Sequence, residues 1–113
     1  MLVPKTLEEC NEVLNKTLKS GDQVEFMNLP REKIITTHRT LGQWIRNNWG
    51  LWTNSPLYKH MKALGFRHPD DMSGTIIKEY WLYQNKLPSE IEADLVKYNE
   101  HWDKLGVNEE DES

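Results

Sequence analysis

Apolar residues recur along this chain at intervals of three and four, the spacing that places them on one face of an α-helix. Leu7, Cys10, Leu14 and Leu18 make the first such stripe. Thr6-Leu7-Glu8-Glu9 reads as a capping box in front of it, and Gly21 stands where a C-cap is expected. A short turn holding Val24, Phe26 and Met27 follows, and Leu29-Pro30 breaks it. The strongest stripe is Ile34, His38, Leu41, Ile45 and Trp49, which predicts one long helix closed by Gly50. Asn54-Ser55-Pro56 opens another helix with Leu57, Tyr58, Met61 and Leu64, closed by Gly65. His68-Pro69-Asp70-Asp71 opens the next, with Met72, Ile76, Tyr80 and Tyr83, and its two acids suit the positive end of a helix dipole. Leu87-Pro88-Ser89-Glu90 starts the last, whose stripe is Ile91, Leu95, Tyr98, Trp102 and Leu105. No period-two run of β-branched residues predicts a strand.

The expected fold is therefore all-α, a compact irregular bundle of about five helices. It forms a single domain over residues 1–106, with an acidic, frayed tail over 107–113. Five tryptophans and four tyrosines supply ample apolar area for a core. The net charge of −4 belongs to the tail: four of the 18 acids, Glu109, Glu110, Asp111 and Glu112, are terminal, and the rest balance the 14 bases. That balance does not predict a nucleic-acid partner. The lone cysteine, Cys10, excludes an intrachain disulfide framework and reads as a small buried hydrophobe. The first residues lack a signal-peptide pattern and no stretch approaches a membrane span, so a soluble protein in a reducing cytoplasm is expected.

Two segments carry polar groups that a plain bundle does not require. In Thr37–Trp52, Arg39, Gly42 and Arg46 share one side of the predicted helix. Glycine in a helix interior costs roughly 1 kcal/mol against alanine, so something should approach the backbone at Gly42. Arg39 and Arg46 would clamp an anion beside Trp44. The structural alternative, which weighs more, has Gly42 admitting a neighbouring helix and the arginines pairing with Asp70 and Asp71. In His68–Gly74, the ordinary reading is a cap, with Asp70 or Asp71 accepting backbone N–H bonds. The functional reading makes His68, Asp70 and Asp71, joined by His38, metal ligands or an acid–base set. Too few ligands accompany them to predict a metal site. Ser73 and Ser55 sit at helix starts, where capping is their usual work, and His60 and His101 read as surface residues. Phosphate loops, nucleophile elbows, HExxH and paired CxxC motifs are absent from the sequence. No catalytic residue, metal or cofactor is predicted.

The string Leu41-Gly42-x-Trp44-Ile45-Arg46-Asn47-Asn48-x-x-Leu51-Trp52, followed by His68-Pro69-Asp70-Asp71-Met72-Ser73 and by Tyr80-Trp81-x-Tyr83, resembles a family of small bacterial and phage domains of unknown function. The resemblance runs from about Lys5 to Trp102 and leaves out the acidic tail. It implies a stand-alone helical domain in a microbial or viral setting, and it implies no activity.

The leading functional expectation is a non-enzymatic binding module that engages and neutralises a protein partner, as immunity or anti-defence factors do. His38, Arg39, Trp44, Arg46, Asn47, Trp49, Trp52, His68, Asp70, Asp71 and Ser73 are its candidate contact residues, being rich in the side chains that dominate binding hot spots. Capture of a small anionic ligand such as a nucleotide, by Arg39, Arg46 and His68 with a stacking Trp, is the alternative. A hydrolase built on His68, Asp70 and Asp71, with or without a metal, is the second alternative.

Overall fold

A computed structural model describes residues 2–106; the expected acidic tail lies outside them. The described residues contain six α-helices and one 3₁₀ helix, rather than about five helices, and no strand. They are α1 (Leu7–Thr17), α2 (Ser20–Met27), a 3₁₀ segment (Arg31–His38), α3 (Leu41–Asn48), α4 (Pro56–Leu64), α5 (Pro69–Gln84) and α6 (Ile91–Lys104). None is long and apolar enough to cross a membrane.

Most boundaries lie where the capping residues put them. Thr6 accepts the amide N–H of Glu9 at 3.2 Å, and Ser55 accepts that of Tyr58 at 3.1 Å. Gly50 and Gly65 take positive φ of 72° and 118°. The next amide in each case reaches back five residues, Leu51 to Arg46 and Phe66 to Met61, in Schellman closures. The first helix departs from expectation. It ends at Thr17, and Gly21 lies in the first turn of α2. Gln23 Nε2 donates to the carbonyls of Asn15 and Leu18, so the last acceptors of α1 are satisfied without a glycine cap.

The predicted long helix is also two elements. Ile34-Ile35-Thr36-Thr37 is a run of four β-branched residues, which resist the α-helical χ1 wells. The threonine hydroxyls add to this: Thr36 donates to Lys33 O, Thr37 to Ile34 O and Thr40 to Thr37 O, all three residues back. These bonds compete with the α-helical pattern and favour the tighter 3₁₀ winding. The break swings His38 away from the stripe that continues through Ile45 and Trp49.

Helix α5 is the axis of the molecule. Nine of its residues are buried, on all sides, and α1, α2, α3, α6 and the 3₁₀ segment pack around it. Met72, Ile76, Tyr80 and Leu82 meet Leu14, Ile45, Trp49 and Met61 in one core, where each fully buried side chain contributes roughly 1.5–3 kcal/mol. Cys10 is buried there, and burial pushes its thiol well above its ordinary value, leaving it unreactive. Tyr83, expected in the stripe of α5, is exposed. Polar groups tie the outer layers to the axis: Tyr80 donates to Asn15, Trp81 Nε1 to the carbonyl of Leu29, and Gln84 to that of Gln23. The carboxylate of buried Glu79 accepts the Ser89 hydroxyl at 2.6 Å and the Glu90 amide at 3.0 Å, which sets the turn into α6.

Candidate functional site

The two polar segments converge at the N-terminus of α5. His68 is the N-cap: its Nδ1 accepts the amide N–H of Asp70 at 3.0 Å, a role the sequence suggested for the aspartates. Asp70 and Asp71 are thereby free to act through their side chains. Asp70 Oδ1 stands 3.4 Å from Arg46 Nε. Asp71 Oδ2 accepts the indole N–H of Trp102 at 2.7 Å. Burial pushes the Asp71 carboxyl above its ordinary range, against the opposing pull of that indole N–H and of His68.

Arg46 comes across from α3 with its side chain only 13% exposed. Its Nη1 donates to Ser73 Oγ at 2.8 Å and lies 3.2 Å from His38 Nε2. Ser73 is buried; its hydroxyl donates to the carbonyl of Asp70 and lies 3.0 Å from His38 Nε2. His38 Nε2 is also 3.0 Å from that same carbonyl. Arg46, Ser73, His38 and Asp70 thus form one closed network joining α3, the 3₁₀ segment and α5. This corrects the expected pairing: Arg46 does meet Asp70, but Asp71 is bound to Trp102 and Arg39 is exposed outside the network. Gly42 admits an imidazole, that of His38, and not a neighbouring helix.

The five tryptophans have different fates. Trp49 and Trp81 are buried in the core, so Trp49 offers no contact surface. Trp44 is half-buried, edge-on to Trp49 at 5.8 Å. Trp52 is 58% exposed. It stands edge-on to His68 at 5.9 Å, and His68 stacks at 5.6 Å on Trp102. Asn47 is exposed on α3. His101 is exposed as expected, whereas His60 is half-buried, with its Nε2 buried and unpartnered among the described residues.

Two concavities flank the His68 turn. One, of about 520 Å3, is lined by Trp52, Asn54, Tyr58, Arg67 and His68. The other, of about 450 Å3, lies between the 3₁₀ segment, α5 and α6, and reaches His38, Asp70 and Asp71. Tyr58 and Tyr98 line these concavities and Trp102 stacks on His68, and none of the three was foreseen as a site residue. Their helical spacing assigned them to apolar stripes, and no local motif distinguishes a stripe residue at the rim from one in the core. Among the described residues, no group of three or more His, Cys, Asp or Glu side chains is arranged to hold a metal ion.

Fold and site define a small all-helical domain with a polar network at the head of its central helix and an aromatic face beside it. The sequence pattern of the family described as a domain of unknown function, DUF6794, matches residues 3–84. The chain belongs to that family. The match spans α1 to α5, and α6 lies beyond it. No curated protein and no solved structure matches the chain.

Proposed function

We propose that this protein is a non-enzymatic binding module that engages a protein partner through the aromatic face of Trp52, His68 and Trp102. The observation that carries the reading is the exposure of Trp52, 58%, in a molecule whose core already holds Trp49 and Trp81. An exposed tryptophan held by ring contacts loses little conformational freedom on binding and offers a large apolar area, the usual makings of a hot spot. His68 anchors it, being fixed at once as the cap of α5 and as the ring between two indoles. Polar groups of Asn54 and Tyr58 rim the adjoining concavity. The partner we have in mind is one neutralised by the contact, in the cytoplasm of a bacterium or an infected host, as with immunity and anti-defence factors.

The nucleotide alternative draws less support, because its main clamp is spent: Arg46 already serves Ser73 and Asp70. The hydrolase alternative draws less support, because His68 Nδ1 is spent on the Asp70 N–H as a helix cap and one oxygen of Asp71 is held by Trp102.

The test is affinity capture from the native host with the wild type, Trp52→Ala and Val24→Ala, the last an exposed control on α2. A protein retained by the wild type and the control but lost from Trp52→Ala supports the proposal. Equal retention by Trp52→Ala, or no retained protein after cross-linking, overturns it.

A further inference from the structure

We propose that the cleft between the 3₁₀ segment and α6 binds a small zwitterion, an α-amino acid or short peptide with an apolar side chain. The cleft holds about 450 Å3, a volume suited to a ligand of that size. It adjoins the aromatic face through the Asp71–Trp102 hydrogen bond and does not rest on the partner-binding reading.

Six charged side chains line the cleft: Arg31, Asp70, Asp71, Lys78, Asp94 and Lys97. Four are already matched. Arg31 pairs with Glu90, and Lys78 reaches Glu90 at 2.9 Å and Asp94 at 2.7 Å. The other oxygen of Asp94 accepts the Thr75 hydroxyl, and Asp70 faces Arg46. Two charges of opposite sign remain. Lys97 has no carboxylate within ion-pair reach among the described residues, and its ammonium lies 5.9 Å from the ring of Tyr98. Asp71 uses one oxygen for Trp102 and keeps the other.

These two charges do not meet each other. Lys97 precedes Trp102, the partner of Asp71, by five residues on α6, an axial offset of about 7.5 Å. A ligand presenting an ammonium to Asp71 and a carboxylate to Lys97 would satisfy both at once with charge-assisted hydrogen bonds. An anion alone would meet Lys97 and leave Asp71 unmatched beside it; a cation alone would do the converse. The phenol of Tyr98 also lines the cleft. Burial and the nearby charges of Asp94 and Asp71 keep it protonated, so it adds no competing charge to the cleft, and its side-chain hydrogen-bond partner is Thr75. Ile77 forms an apolar wall and Ile35, 75% exposed at the rim, is a large aliphatic side chain with nothing over it. Both call for an apolar substituent on the ligand. Lys97 and Tyr98 lie on α6, beyond the residues matched by the family, so this site would be a property of this chain rather than of the family pattern.

The test is isothermal titration of the full chain with leucine, phenylalanine and the dipeptide Leu-Leu. The controls are isoamylamine and 4-methylvalerate, which each keep one of leucine's two charges. At least one zwitterion should bind, and each singly charged analogue should bind at least tenfold more weakly. Binding of leucine but not Leu-Leu, or the reverse, decides between free amino acids and peptides, and either supports the proposal. Asp71→Asn and Lys97→Gln should each weaken binding at least tenfold. Both variants should stay folded, because Asn keeps an acceptor for Trp102 and Lys97 is exposed; unchanged circular dichroism checks this. No binding by any zwitterion, equal binding by a singly charged analogue, or wild-type affinity in both variants overturns the proposal.

Discussion

The imidazole of His38 occupies the space that a side chain at position 42 would need. A Cβ added to Gly42 would stand 2.6 Å from Cδ2 of His38 and 3.1 Å from Nη1 of Arg46. Helix propensity alone favours alanine there by about 1 kcal/mol. The steric conflict opposes it, because the ring that must yield is the one whose Nε2 touches Asp70, Ser73 and Arg46. Gly42→Ala should therefore destabilise the protein by about 1–3 kcal/mol, the usual cost of overpacking. Urea denaturation measures it, and a stabilised variant would show that His38 moves aside freely.

The Asp71–Trp102 bond carries a pH dependence. Burial raises the folded-state pKa of Asp71 above its ordinary value of 3.8. The native state thus binds more protons than the unfolded chain in the window above that value. The Asp71 contribution is fully present below about pH 3.8, and it is lost as pH rises through the raised folded value. Asp71→Asn keeps the acceptor for Trp102 and removes the desolvated charge. It should melt higher than the wild type at pH 7, and the gain should shrink as pH falls through the raised folded value of Asp71 towards 3.8. Melting temperatures of both proteins across pH 3–7 test this; a constant difference refutes it.

Lys78 holds a carboxylate inside the molecule. Asp94 has a side chain only 5% exposed and receives Lys78 Nζ at 2.7 Å. Removing the lysine leaves that carboxylate with the Thr75 hydroxyl alone among these partners. Lys78→Ala should cost about 2–3 kcal/mol, the penalty for an uncompensated buried charge tempered by the partial exposure of Lys78 itself. The double variant with Asp94→Asn should recover part of the loss, which a double-mutant cycle would read directly.

At the other end of α5, Lys86 takes a left-handed backbone conformation, φ 57°, so that the Leu87 amide can reach Leu82 O. Glycine adopts this conformation without the Cβ conflict. Lys86→Gly should stabilise the protein by up to about 1 kcal/mol in thermal or chemical denaturation.

Trp49 and Trp52 lie three residues apart and should behave as opposites. Trp49→Ala empties a fully buried volume and should cost about 3–5 kcal/mol. Trp52→Ala removes a largely exposed ring and should change stability by less than about 1 kcal/mol. Parallel denaturation curves settle the contrast, and similar losses in both would mean that Trp52 serves the fold.

Much of the architecture was legible along the chain because it depends on neighbours in sequence. Thr6, Ser55-Pro56 and Pro69 mark helix starts, and Gly50 and Gly65 mark helix ends, through bonds that span three to five residues. The division of the Ile34–Trp49 stripe had a local cause too, in four consecutive β-branched residues and their threonine hydroxyls. The apolar spacing of the stripe runs on across the break and masks it.

The sequence by itself determined an all-helical chain with a core-forming stripe on α5 and a polar pair of segments bound to meet other groups. Tertiary structure alone decided which groups those were. Arg46 reaches Ser73 across 27 positions, Trp102 reaches Asp71 across 31, and His38 reaches Ser73 across 35. Periodicity records only which face of a helix a residue occupies. Whether that face meets another element, a cleft or solvent is settled by how the helices pack around α5. So Trp49 and Trp52, written alike, became one core residue and one exposed ring.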